Sequence, residues 1–169
     1  PSESFSRDVL EDRLLAFLAE RGDRASLDSA LEQMERFYRN RVEQTLAESA
    51  TDDGALDSYL AALGQVLIHR EKYAEAQSVL EKCLDIRRNV FPHLKDHWTI
   101  AKTMSLLGAA LAGQGKWAEA ERLLMDGYIA LDKYRYDHRI SEDVSEYPLQ
   151  QALERIVRLY DSWDAAEPS

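Results

Sequence analysis

Apolar residues recur along the chain at intervals of three and four, with polar residues between them. Val9, Leu10, Leu14, Phe17 and Leu18 open the series, and this spacing puts them on one helical face. Gly22-Asp23 is expected to end that helix and Ser26 to cap the next, with Ser29 as the alternative. Leu27, Leu31, Met34, Phe37, Tyr38, Val42 and Leu46 predict the buried stripe of the second helix, which extends to Ser49. Thr51-Asp52-Asp53-Gly54 reads as a turn. Helices are then predicted over 55–69 and 73–90, with Phe91-Pro92 stopping the latter. Asp96 is the expected cap of a helix ending near Gly113, and a partner helix covers 117–134. Residues 135–142 read as irregular. Ser141 and Glu142 stand just before a last helix, with Leu149, Leu153, Ile156, Val157, Tyr160 and Trp163 on its apolar face.

One stretch occurs twice. Residues 73–84 and 117–128 lie 44 positions apart, and Tyr73, Ala74, Glu75, Ala76 and Leu80 correspond to Trp117, Ala118, Glu119, Ala120 and Leu124. The preceding helix repeats as well: Leu60, Leu63, Gly64 and Leu67 correspond to Met104, Leu107, Gly108 and Leu111. The offset from Gly108 to Val157 is 49, so an insertion separates the last copy. A period of this size indicates stacked units, each too small to bury its own apolar faces.

The motif Leu60-x2-Leu63-Gly64-x2-Leu67 followed by Ala76-x3-Leu80 resembles the tetratricopeptide repeat. Met104-x2-Leu107-Gly108-x2-Leu111 followed by Ala120-x3-Leu124 resembles it equally. Gly64, Ala76, Gly108 and Ala120 are small where paired helices must approach closely. Residues 80–91 with Asp96-His97 are similar to the long repeats of kinesin light chains, and more so to bacterial arrays attached to serine/threonine kinases or signalling ATPases. The likeness covers residues 55–163. Leu94-Lys95 and Trp98 stand where that family has Gly and Pro, and the N-terminal hairpin matches poorly. The resemblance implies an all-α solenoid of about seven antiparallel helices with a curved inner face. The expected divisions are a degenerate hairpin over 1–50, repeats over 51–95 and 96–140, and a capping helix with tail over 141–169.

Composition narrows the function. Hydrophobic residues make up 45% of the 169 and the formal net charge is −10. The first supports a continuous core, and the second disfavours broad nucleic-acid binding. The lone Cys83 cannot form an internal disulfide and fits a reducing compartment, so a cytoplasmic location is expected. No apolar run suits membrane insertion. The chain starts at Pro1 rather than Met, which reads as a segment of a longer protein.

Candidate chemistry is sparse. His93 and His97 flank Asp96 across a helix start and need not share a face, so no metal site is expected. Cys83 sits at a small, buried position and reads as a packed thiol. Gly113-Gln114-Gly115-Lys116 lacks the strand a phosphate loop requires and reads as a hairpin turn. Tyr134–Arg139 mixes aromatics with Arg and His, yet its flanking acids favour a solvated loop over an RNA contact. No catalytic residues and no cofactor are expected.

The sharper expectation concerns the inner face. Residues of each first helix that the motif does not use are Ser58, Ala61, Gln65 and His69, then Lys102, Ser105 and Ala109, then Gln151, Glu154, Arg155 and Arg158. Lys102, Arg155 and Arg158 form a local basic patch suited to carboxylates. Ala61, Gln65, Ser105 and Ala109 stand where some relatives clamp a terminal carboxylate, which disfavours that mode. The expected function is non-catalytic binding of a protein or extended peptide, acidic groups included. A regulatory segment of a larger bacterial signalling kinase or ATPase is the alternative, and a helical enzyme or RNA binder a remote third.

Overall fold

The computed structural model describes residues 20–47, 53–90, 97–138 and 142–167. Among these there are six helices and no strand: α1 (Arg24–Ala47), α2 (Asp53–His69), α3 (Tyr73–Val90), α4 (Trp98–Ala112), α5 (Trp117–Asp137) and α6 (Glu142–Ala166). The helix expected before Gly22 lies outside the described residues.

Local chemistry sets the helix ends. Gly22 is left-handed at φ 66°, and Asp23 caps α1 by accepting the Ser26 backbone N–H at 3.1 Å. Ser26, the expected cap, is therefore inside the first turn. Hydrogen bonds from the Ser26 side chain and backbone hold the Asp23 carboxyl below its ordinary range. The α2–α3 and α4–α5 turns share one geometry. The Lys72 N–H donates to the Leu67 carbonyl and the Lys116 N–H to the Leu111 carbonyl, at 2.9 and 3.0 Å. Each turn needs a left-handed residue one position earlier, supplied by Gly115 at φ 72° but by Glu71 at φ 57°. α4 is capped by His97, whose Nδ1 accepts the Thr99 N–H at 3.4 Å, one residue after the expected Asp96. Asp53 and Gly54, read as turn, belong to α2. α5 continues to Asp137, through part of the stretch read as irregular.

Successive helices pack antiparallel. On α2 and α3, Gly64 faces Leu80 while Asp57 reaches Arg87. On α4 and α5, Gly108 faces Leu124 and Gly127 lies over the backbone of Ala101 and Ser105. A Cβ at Gly64 would stand 2.5 Å from Leu80 Cγ, and one at Gly108 2.7 Å from Leu124 Cγ. Glycine thus permits the close approach that the repeated Leu-Gly motif implied. Beyond these pairs, α2 touches α4 and α4 touches α6. Leu67, Leu80, Leu106, Leu124 and Leu159 are fully buried along this succession.

The first interface contains a polar centre. Arg87 Nε donates to Asp57 Oδ2 at 2.5 Å, and its Nη1 donates to the Thr99 carbonyl at 2.7 Å and Thr103 Oγ1 at 2.6 Å. One guanidinium ties α2, α3 and α4 together. At the repeat offset, Asp57, Arg87 and Thr103 become Ala101, Leu131 and Ala152. Those three form an apolar cluster at the next interface. The same position is therefore filled once by paired charge and once by hydrocarbon.

A second polar centre joins α1 to the α2–α3 turn. Leu31, Glu35 and Tyr38 are buried on α1 with the spacing of Ala76, Leu80 and Cys83 on α3. Glu35, at a leucine position, receives Arg70 at 2.5 Å, Lys72 at 2.8 Å and Arg39 at 2.7 Å. Burial pushes its carboxyl up, but hydrogen bonds from Lys72, Arg39 and Arg70 outweigh this and hold it at about 2, against an ordinary 4.5. A depressed carboxylate contributes stability above its unfolded value and loses it as the pH falls through the folded one. The stability gap between wild type and Glu35→Gln should therefore stay constant above pH 4.5 and shrink between pH 4.5 and about 2. Urea melts across that window measure it. A gap unchanged down to pH 2 would contradict the assignment.

Two expected stripes are corrected. Phe37 and Leu46 on α1 are 40% and 48% exposed, because the buried line follows Leu31, Glu35 and Tyr38 instead. On α6 the buried line is Ala152, Ile156 and Leu159, which leaves Leu153, Val157 and Tyr160 at 42–52% exposure.

Candidate binding face

α2, α4 and α6 meet in series, so one side of the molecule is lined by alternate helices. Their positions come from the close pairs beneath. α3 sits against Gly64 of α2, and α5 sits against Gly108 and the backbone of Ala101 and Ser105 in α4. The face is thus held by backbone proximity as well as by side chains.

The predicted residues divide into three groups. Ser58 and His69 are exposed on α2, and Gln65 is half-buried. Lys102 is half-buried on α4, as are Gln151 and Arg155 on α6, while Glu154 and Arg158 are exposed. Ser105 is fully buried, so its prediction as a ligand contact is corrected. α5 covers its backbone, and Arg155 Nη1 donates to its hydroxyl at 3.3 Å. Ala61 is buried as well.

Arg155 therefore has two roles. Its Nη1 bond to Ser105 anchors α6 on α4, and its Nη2 approaches Gln151 Oε1 at 3.5 Å. A guanidinium has five donors in a rigid fork. A half-buried one, oriented by a neighbouring hydroxyl, is preorganised for an incoming carboxylate or carbonyl. Lys102 adds a second cation on α4, less than one turn before Ser105. Arg158 follows Arg155 by three residues, about 60° around α6. The structure brings Ser105, Gln151 and Arg155 together. Glu154 and Arg158 are exposed on α6.

The polar residues that sequence reading missed are Glu35, Asp57, Arg87 and Thr103. Their signal was present: Arg87 continues the stripe Ala76, Leu80, Cys83 at the position where the second repeat has Leu131. Cys83 is a buried free thiol whose Sγ donates to the Asp57 carbonyl at 3.2 Å. Burial raises its pKa, with Asp57 adding to this and Arg87 opposing it. His97 is lowered by burial first and then by the charges of Arg87 and His138. Its ring meets Tyr134 edge-on at 5.6 Å, and Tyr134 stacks on His138 at 4.0 Å. His93, Asp96 and Arg139 lie outside the described residues. Among the described residues there is no group of three His, Cys, Asp or Glu side chains placed to hold a metal. No helix there is long and apolar enough to cross a membrane.

No curated protein matches the chain. Residues 54–128, a little under half of it, match the family model of the tetratricopeptide repeat. That span holds the α2–α3 pair and the packed part of the α4–α5 pair, with Gly64 against Leu80 and Gly108 against Leu124. This stretch of the chain is similar to tetratricopeptide repeats.

Proposed function

We propose that the chain is a non-catalytic binding module that holds a protein or extended peptide against α2, α4 and α6. The observation that carries this reading is the set of alternate helices in mutual contact, presenting Ser58, Gln65, His69, Lys102, Gln151 and Arg155. Tetratricopeptide repeats generally mediate protein–protein interaction, which supports it. Stacked as a solenoid, the helical pairs form a curved groove, and their period of 44 fits the long-repeat type. The Arg87 and Glu35 clusters brace neighbouring helices, so the receptor loses little conformational freedom on binding.

The preferred partner carries carboxylates. Lys102 and Arg155 are local cations on a chain of net charge −10. Selectivity on such a surface depends on local complementarity and falls with salt. In a comparative pull-down from source-organism lysate, Lys102→Glu/Arg155→Glu should lose a protein that wild type retains at low salt, while its melting temperature stays within a few degrees of wild type. Equal retention by the two folded proteins would remove the function from this face.

A further inference from the structure

We propose that the open face of α6 is the dimerisation surface of this chain, with a second copy packing its own α6 antiparallel across it. Leu153, Val157 and Tyr160 are 50%, 52% and 42% exposed on that helix. Tyr160 OH donates to Glu121 Oε1 on α5 at 2.5 Å, which fixes the two helices side by side. Met125 and Ile129, one and two turns beyond Glu121, are 39% and 58% exposed. Five of the large exposed apolar side chains thus lie on adjacent helices at one end of the molecule. An apolar concentration of this kind marks an interaction surface.

The repeat itself limits the occupant. Leu153, Val157 and Tyr160 hold the positions of Leu60, Gly64 and Leu67 in α2 and of Met104, Gly108 and Leu111 in α4. On those helices the glycine admits Leu80 or Leu124, and a Cβ there would stand 2.5 or 2.7 Å from the leucine Cγ. Val157 has a branched side chain at that position. A helix in the register of α3 or α5 therefore does not fit, and the occupant must stand off at an ordinary distance between side chains.

The charges select a second copy. The stripe 153, 157, 160 has the four-then-three spacing of a coiled-coil seam. Glu154 and Arg158 lie one turn apart on its rim, both exposed. When two copies of α6 run antiparallel about a two-fold axis, Leu153 of each meets Val157 of the other. Glu154 of each then comes within reach of Arg158 of the other, twice by symmetry. A helix carrying one acid and one base a turn apart is complementary to its own reverse.

The test needs no partner protein: sedimentation equilibrium of the full chain over a wide concentration range, at low salt. Wild type should pass from monomer to dimer. Val157→Glu should weaken association more than about tenfold, with a melting temperature unchanged at concentrations where both proteins are monomeric, since the side chain is half exposed. Leu153→Ser, a milder change at the same seam, should weaken it in the same direction. Glu154→Arg and Arg158→Glu should each weaken association alone, and an equimolar mixture of the two should restore it, because only the mixed dimer pairs opposite charges at both rims. Wild type that stays monomeric throughout overturns the proposal. So does a dimer unaffected by Val157→Glu and Leu153→Ser, or single reversals whose mixture fails to recover.

Discussion

Arg87→Leu should cost about 3–5 kcal/mol, because it leaves Asp57 buried without its cation. Thr103 Oγ1 loses its donor as well. For a chain of this length the loss corresponds to roughly 10 °C in melting temperature. The repeat supplies the compensating change. Asp57→Ala and Thr103→Ala, added to Arg87→Leu, install the apolar set that Ala101, Leu131 and Ala152 form at the next interface. Replacing a whole buried charged group with packed hydrocarbon is often neutral or stabilising. The triple variant should therefore recover most of the loss. Urea denaturation of the single and triple variants measures this. A triple variant no more stable than Arg87→Leu would show that the two interfaces are not interchangeable.

Gly108→Leu should destabilise by about 1–3 kcal/mol through overpacking. Its first added carbon would stand 2.7 Å from Leu124 Cγ and 3.2 Å from the Ala120 carbonyl. The leucine can turn aside, whereas the carbonyl moves only with α5. Leu124→Ala in the same chain should thus return part of the loss and not all of it, a coupling expected of residues in contact. An unchanged melting temperature for Gly108→Leu would contradict the packing of α4 on α5. Gly22 gives a contrast. A Cβ there meets nothing within 4 Å, but its φ of 66° strains any other residue.

Much of the fold was legible because small residues and leucines recur in register. The bounds of α3 came directly from Tyr73 and from the Phe91-Pro92 stop. The Leu-Gly motif located both close helix pairs. Charged residues inside an apolar stripe were less legible. Glu35 and Arg87 were not singled out from the sequence, yet each lies at a stripe position and is buried where cations or an acid arrive from another helix. α6 was ambiguous for a different reason. It carries two apolar lines, and the lines differ only in which neighbours cover them. Ala152, Ile156 and Leu159 are buried, while Leu153 and Val157 stay exposed and Tyr160 reaches α5 through its hydroxyl. The placement of Lys102 and Arg155 on α4 and α6 was legible in the sequence. The burial of Ser105 was not, because periodicity within α4 does not register α5 crossing it or Arg155 reaching it.

The measurement that bears most directly on the central claim is backbone amide mapping by nuclear magnetic resonance during titration with a pool of short acidic peptides at low salt. The account predicts shifts concentrated on α2, α4 and α6 around Gln65, Lys102, Gln151 and Arg155, fading as salt rises and absent in Lys102→Glu/Arg155→Glu. Shifts confined to α3 and α5, or an equal response from the variant, would contradict it.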